Sequence, residues 1–142
     1  MSQENVEILR RWIEQFNQQF NAEGLHLSLA APDIVLDNSN AAFDGAVYRG
    51  HDGVRDWLSW ARGMWKHQRL EAQEFIPAGE DQVIVSVRLV SVGRDDVETV
   101  AHAAALMAVR EGRVTHMKTF QSKADAFEAV GLAEQEAQRT TG

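Results

Sequence analysis

Four strand-like segments separated by short turns fill residues 70–120. Their approximate bounds are 70–76, 82–92, 97–110 and 113–120, with turns at Pro77-Ala78-Gly79, Gly93-Arg94-Asp95-Asp96 and Glu111-Gly112. Each segment is rich in apolar residues, and each turn contains glycine, as is typical of hairpin connections. Turns this short join neighbouring strands that run in opposite directions. The pattern therefore predicts an antiparallel meander as the main part of a sheet.

The third of these strands is apolar on both of its faces. One face would carry Ala103, Ala105, Met107 and Val109, and the other Ala104, Leu106 and Ala108. A strand of this kind must be covered on both sides. Helices are expected to cover one side, so we predict that a second copy of the chain covers the other. The sequence thus predicts a homodimer that associates through the sheet face.

Helical periodicity appears before the strands and again after them. Val6, Leu9, Ile13, Phe16 and Phe20 recur at steps of three and four residues, with Trp12 on the flank of this stripe. A second helix is predicted over residues 54–65, and it would carry three of the four tryptophans. A last helix is predicted to begin at Ser122, which has Asp125 three residues later, and to stop at Gly131. These helices would supply the layer that covers the sheet.

The region between the first two helices is less regular. Residues 22–31 suit either a short helix or a strand, and Pro32 is expected to end that segment in both cases. Residues 33–37 predict a short strand closed by Asn38-Ser39-Asn40, and residues 47–49 are assigned to a glycine-flanked loop. The sequence therefore predicts helices on both sides of one short strand, followed by the meander.

Length and charge restrict the class of protein. The 142 residues predict a single domain over residues 1–132 with a polar tail over 133–142. The net charge of −7 argues against nucleic-acid binding, and there is no apolar run long enough to predict a membrane span. Cysteine is absent, which excludes disulfides and thiolate metal sites and is typical of a cytoplasmic protein. We therefore expect a cytoplasmic protein with no membrane segment.

Several segments together resemble one family. Residues 5–16, 32–40, 48–55 (Tyr48-Arg49-Gly50-His51-Asp52-Gly53-Val54-Arg55) and 110–132 are similar to the SnoaL-like branch of the nuclear transport factor 2-like superfamily. The resemblance implies an α+β fold, a cone-shaped barrel in which a curved antiparallel sheet packs against N-terminal helices and encloses a pocket. The superfamily includes polyketide cyclases, ketosteroid isomerases, limonene epoxide hydrolases and scytalone dehydratase, so the fold alone does not define a reaction.

The resemblance also locates two candidate catalytic residues. Asp37 falls where ketosteroid isomerases have a catalytic aspartate, although Trp12 and Ala104 stand where those enzymes have a tyrosine and a second acid. His102 lies in a segment that resembles the histidine-bearing strand of scytalone dehydratase. The aspartates of the epoxide hydrolases and the SnoaL cyclases would fall near Lys118 and Ser122, so neither active site is complete.

Each candidate has two interpretations. Asp37 is either a general base whose pKa is raised by apolar neighbours, or a strand-end residue in an Asx turn with Ser39 or Asn40. His102 is either its acid or orienting partner, or a histidine of the core or the dimer face. The substrate-binding lining is predicted to contain Trp12, Phe16, Tyr48, Trp57 and Leu106. The five histidines have no ligand-like spacing, so we expect neither a metal nor a cofactor.

Two functions follow from these residues. The first is a cofactor-independent acid/base enzyme of isomerase, cyclase or dehydratase type that acts on a small hydrophobic metabolite. The second is a non-catalytic, dimeric, ligand-binding protein. Both require a mainly apolar pocket with a few polar groups, and they differ in whether Asp37 and His102 line it.

Overall fold

The computed structural model describes residues 3–21, 27–40, 46–79 and 81–131. The elements in chain order are α1 (Gln3–Asn21), β1 (Ala30–Asn40), β2 (Val47–Arg49), α2 (Gly50–Met64), β3 (Trp65–Pro77), β4 (Gln82–Gly93), β5 (Glu98–Arg110), β6 (Arg113–Phe120) and α3 (Lys123–Val130). No helix in this part of the chain has the length and apolar character needed to cross a membrane. The polar tail predicted over residues 133–142 lies outside the described residues.

The six strands form one sheet in the order β2-β1-β6-β5-β4-β3. The antiparallel meander predicted for residues 70–120 is confirmed, since β3 pairs with β4, β4 with β5, and β5 with β6 in that manner. The sheet as a whole is mixed, however, because β1 runs parallel to β6. Parallel neighbours require a long crossover, and here the chain from β2 to β5 provides it. The order of pairing leaves the curved sheet open rather than closed into a barrel.

Strand β1 differs from its prediction at both ends. It begins at Ala30 and continues through Pro32, where the sequence predicted an end. Proline is accommodated because the pairing of β1 with β6 is irregular between Ala30 and Val35, so its missing N–H interrupts no regular ladder. The segment Val47–Arg49, predicted as a loop, pairs with β1 as the short edge strand β2.

The main core lies between the sheet and the first two helices. We call the face of the sheet that packs against α1 and α2 the inner face, and the opposite one the outer face. Side chains alternate between the two faces along each strand. The inner face is built largely from fully buried aliphatic residues, among them Ile34, Leu36, Val83, Val85, Met107 and Val109. Leu9 of α1 and Leu58 of α2 pack against them and are equally buried.

Helix α3 covers the middle of the outer face. The Ser122 hydroxyl accepts a hydrogen bond from the Asp125 amide at 3.1 Å, and Gly131 ends the helix with a φ of 74°, as the sequence predicted. Ala126 of this helix is buried in a cluster that also contains Ile84, Ala104, Leu106 and Phe120. The second apolar face of β5 is therefore covered by the same chain, which corrects the expectation that only a second copy covers it.

Candidate functional site

A cavity opens between the inner face and the two N-terminal helices. It holds about 560 Å³ of space not occupied by atoms, its mouth included. Its lining comes from α1, α2 and all strands except β2, and consists of Phe16, Asn38, Trp57, Trp60, Trp65, Gln68, Leu70, Val87, Leu89, Ala103, Ala105, Met117 and Thr119. A concave, mostly apolar cavity with a few polar groups is the usual form of a small-molecule site.

Aromatic rings form the helical wall of the cavity. Phe16 of α1 stacks on Trp57 of α2 with ring centroids 5.2 Å apart and an angle of 28° between the planes. Trp60 follows on the same helix. Trp65 was predicted to belong to that helix, but it is the first residue of β3. Helix α2 ends at Met64 because the backbone of Trp65 is extended. The wall is thus assembled from three elements, and flat aromatic surfaces of this kind suit a flat ligand.

Three neutral polar side chains interrupt the apolar lining. Asn38, Gln68 and Thr119 are 5%, 7% and 6% exposed, respectively. The Gln68 side-chain amide donates a hydrogen bond to the Ser91 hydroxyl at 3.0 Å. Within the described part of the chain, the side chains of Asn38 and Thr119 make no hydrogen bond. Buried polar groups are normally paired, so these two are available to a ligand.

Asp37 lies on the outer face, directly before Asn38. Its carboxylate accepts hydrogen bonds from the Ser39 amide at 2.9 Å and the Ser39 hydroxyl at 2.5 Å, which is the Asx-turn arrangement. The Lys118 ammonium is 4.0 Å from its other oxygen. Burial raises the pKa of Asp37, but the two hydrogen bonds from Ser39 and the charges of Lys118 and His116 together lower that pKa below its ordinary value. The expected rise in the pKa of Asp37 is therefore not what the structure shows.

His102 is also on the outer face, away from Asp37. It is exposed and pairs across the sheet with Arg88 of β4. Strand β6 separates β1 from β5 and ends at Phe120, which pairs with Ala104. The structure therefore does not bring His102 and Asp37 together, and neither lines the cavity. A catalytic role for this pair stays a prediction.

The five residues predicted to bind substrate divide into two groups. Phe16 and Trp57 line the cavity. Trp12 borders a smaller hollow between α1 and α2, and Tyr48 is half-buried on β2 beneath α2. Leu106 packs on the outer face under α3. The two predicted residues that line the cavity are thus aromatic residues of α1 and α2.

Strand parity could have located the polar residues that the sequence analysis missed. Ile34 and Leu36 are the apolar positions of β1, so Asn38 must share their face and Asp37 must take the other. The same rule places Thr119 with Met117 on β6. Gln68 had no such signal, because the predicted helix over residues 54–65 and the predicted strand over 70–76 left residues 66–69 without an assigned element.

His116 is a partly buried titratable group on the outer face. Burial lowers its pKa, the nearby Asp37 carboxylate opposes that change, and the Lys118 ammonium adds to it. The described residues contain no group of three or more histidines and acids placed to hold a metal ion. Asp37, His116 and Lys118 lie close enough to influence one another's charge, and none of the three lines the cavity.

Comparison with solved structures identifies the class of fold. An NTF2-like protein of unknown function from Burkholderia pseudomallei superposes with a TM-score of 0.70 at 18% identity, covering 92% of this chain and 98% of that one. TerC, co-crystallised with polyporic acid, gives 0.70 at 19% identity over 90% and 98%. The Δ5-3-ketosteroid isomerase from a Mycobacterium species gives 0.66 at 15% identity over 84% and 93%. The chain thus has the α+β cone fold of the NTF2-like proteins.

Comparison of the sequence with known families identifies the family of this chain. The model of the SnoaL-like domain matches residues 9–117, which is most of the chain. The chain belongs to this SnoaL-like family, as the resemblance implied. No curated protein sequence matches it. The fold is shared with a ketosteroid isomerase and with proteins crystallised with small ligands, and it leaves the function to be argued from the cavity.

Proposed function

We propose that this protein binds a small, neutral, hydrophobic molecule in the cavity without acid/base catalysis. The observation that carries the proposal is the chemistry of the lining. Its described residues are aromatic, aliphatic or neutral and polar, and none of them is ionisable. Such a lining supplies contact area and a few directed hydrogen bonds, which orient a ligand without exchanging protons with it.

The lack of charge among the described lining residues restricts the ligand as well. A carboxylate or ammonium group that entered the cavity would lose its hydration and find no opposite charge on the described lining. Burying an unpaired charge costs several kcal/mol or more, which is larger than a typical single polar contact returns. A neutral ligand avoids this cost, so we expect neutral molecules to bind more tightly than charged analogues of the same shape.

The crystal structure of TerC with polyporic acid supports a role in small-molecule binding, because it shows a protein of the same fold with a small ligand. The identity is only 19%, so the support concerns the fold's capacity to hold a ligand and not the ligand's chemistry. The aromatic wall formed by Phe16 and Trp57 gives this chain a comparable means of holding a flat molecule.

The acid/base enzyme is the second candidate that the sequence raised. It would require Asp37 and His102 to reach a ligand, and both project from the outer face. If an identified ligand is turned over and Asp37→Asn or His102→Ala abolishes that turnover, the enzyme is the correct function. Unchanged ligand binding in both variants, with no turnover, is the result that we expect.

The test of binding uses the tryptophans as the signal. Titration with trans-stilbene, a flat neutral probe, should quench the fluorescence of Trp57, Trp60 and Trp65. Ala103→Phe fills the cavity and should weaken binding by at least about tenfold, which corresponds to roughly 1.4 kcal/mol. His102→Phe places the same ring one residue away on the exposed outer face and is the matched control. Equal binding by both variants would overturn the proposal.

We also infer that the protein is a homodimer that associates through the outer face. Helix α3 covers the middle of that face, but the end of β5 before Ala103 is exposed. Val100 on this end is 43% exposed and lies opposite the partly exposed Val90 of β4, so a partner that covered both would bury apolar surface.

A further inference from the structure

We propose that the cavity selects an elongated molecule with an oxygen function at each end, one of them a hydroxyl that donates a hydrogen bond to Gln68. This inference rests on the proposed binding function and adds the arrangement of polar groups that the ligand must carry. It follows from the positions of the three polar lining residues, which lie at two separate ends of the cavity.

Asn38 and Thr119 form the first polar end. In the parallel pairing of β1 with β6, Asp37 is opposite Lys118 and Asn40 is opposite Phe120, with a shift of register between these two pairs. Asn38 and Thr119 both lie in this short stretch. Both are more than nine-tenths buried and line the cavity, and neither side chain is hydrogen-bonded within the described residues. Their polar atoms are not among the described side-chain atoms that are both fully buried and unpaired, so they keep access to the cavity, and a ligand oxygen can pair with them there. The amide and the hydroxyl can each donate or accept, so this end takes either a hydroxyl or a carbonyl.

Gln68 forms the second polar end. One N–H of its side-chain amide donates to the Ser91 hydroxyl on the neighbouring strand β4, which holds the amide in place. The amide oxygen remains as an acceptor in the cavity lining, because no hydrogen bond to it is present among the described residues. The oxygen can only accept, so a ligand hydroxyl pairs with it directly, whereas an ether or a carbonyl could pair only with the second N–H of the amide.

The sheet register separates the two ends. Thr119 is opposite Ala105, and Ala105 is opposite Val85. Ser91 lies six residues farther along β4 than Val85, which is about 20 Å along an extended strand. The sheet curves, so the direct path across the cavity is shorter than this. An elongated ligand with a polar group at each end is the form that can pair with both.

The surface between the two ends is apolar. Val87, Leu89 and Ala103 provide the sheet side, and Trp60 lies among the aromatic residues on the opposite wall. A rigid aromatic or polycyclic body fits this middle section because it buries apolar area without leaving a polar group unpaired. The cavity thus matches a flat, neutral body with polar groups only at its extremities.

A series of probes tests this arrangement. We would measure the dissociation constants of trans-stilbene with no hydroxyl, with one para-hydroxyl, and with a para-hydroxyl on each ring. Each added hydroxyl should tighten binding by about three- to tenfold, the range of a typical neutral hydrogen bond. Replacing one of the two hydroxyls by a methoxy group should lose neither gain, because the Asn38 and Thr119 end can donate to the ether oxygen while the remaining hydroxyl donates to Gln68.

Matched variants test which residue provides each gain in affinity. Thr119→Val and Gln68→Met should each remove the gain from one of the two hydroxyls. The singly hydroxylated probe can bind in either direction, so it should lose its advantage only when both substitutions are combined. Thr115→Val is the control on the same strand, because the Thr115 hydroxyl donates to the Ala108 carbonyl outside the cavity lining. Thermal unfolding of all variants checks that the fold is retained.

The outcomes separate this inference from the function on which it rests. If all three stilbenes bind equally and Ala103→Phe blocks them, the cavity binds ligands but the two-ended arrangement is wrong. If the hydroxyl gains occur but persist in the combined Thr119 and Gln68 variant, the assignment to these residues is overturned. If no stilbene binds at all, the proposed function fails and this inference fails with it.

Discussion

Asp37 and Asn38 are adjacent in the chain, yet their side chains lie on opposite faces of the sheet and in different environments. The alternation of β1 turns the Asn38 amide into the cavity and the Asp37 carboxylate to the outer face, where Ser39 and Lys118 surround it. A register shift of one residue would exchange them and would place a charge in the cavity. The neutral character of the binding site therefore depends on the register of a single strand.

Asp37 should contribute to stability in a pH-dependent manner. Its folded-state pKa is lowered from the ordinary 3.8, so its contribution is present above that pH and is lost as the pH falls through the folded-state value. We expect Asp37→Asn to lower the free energy of unfolding by about 0.5–1.5 kcal/mol near neutral pH, because it weakens the bonds with Ser39.

Urea unfolding at neutral pH and at a pH well below 3.8 tests this prediction. The difference between the wild type and Asp37→Asn should shrink at the acidic pH. Asp33→Asn alters an exposed aspartate at the start of the same strand and is the control, with little effect expected at either pH. A loss of stability that is the same at both pH values would contradict the assigned role of the Asp37 carboxylate.

At the scale of elements, helix α2 owes its position to a glycine. A Cβ atom on Gly53 would lie 2.9 Å from the carbonyl carbon of Tyr48, so the helix approaches β2 more closely than any larger residue permits. Gly63, near the other end of the same helix, has no atom within 4 Å of such a Cβ position. Of these two glycines, only Gly53 is therefore required for the packing of α2 against β2.

Alanine at these two glycines should have opposite effects on stability. Gly53→Ala should lower the free energy of unfolding by about 1–3 kcal/mol through overpacking. Gly63→Ala should raise it by about 0.5–1 kcal/mol, since alanine is the better helix former. Thermal or chemical unfolding of both variants makes the comparison. A neutral Gly53→Ala would show that α2 is not held against Tyr48 in the manner described.

The elements with local signals were predictable, and the long-range pairing was not. Ser122 and Gly131 mark the ends of α3 through their own backbone and side-chain chemistry, so the sequence located that helix. The parallel pairing of β1 with β6 joins segments about 80 residues apart and leaves no mark in either one. Pro32 was read as a terminator because local propensity does not show that the strand's pairing is irregular there.

At the scale of the whole molecule, the candidate site depends on how helices and strands from distant parts of the chain meet. Periodicity predicted Phe16 and Trp57 on the helical wall, because a buried helix face is readable from spacing. The family resemblance singled out Asp37 and His102 for their chemistry, without determining which face of the sheet each occupies. Only the assembled sheet shows that Asn38, Gln68 and Thr119 are the polar residues of the cavity.

Association through the outer face is the remaining prediction at this scale. We expect light scattering coupled to size-exclusion chromatography to give the mass of a dimer, and Val100→Lys to shift it towards the monomer by placing a charge in the contact. Met64→Lys alters an exposed apolar residue at the end of α2, on the opposite side of the sheet, and should leave the mass unchanged. A monomeric wild-type protein at micromolar concentration would show that the outer face is complete without a partner.

The most direct test of the account is a crystal structure of the protein with the doubly hydroxylated stilbene. The account predicts that the ligand lies in the cavity against Trp57, with one hydroxyl beside Asn38 and Thr119 and the other within hydrogen-bonding distance of the Gln68 amide oxygen. A ligand bound on the outer face against Asp37 or His102, with the cavity closed by its own side chains, would contradict it. The catalytic interpretation of those two residues would then be the better one.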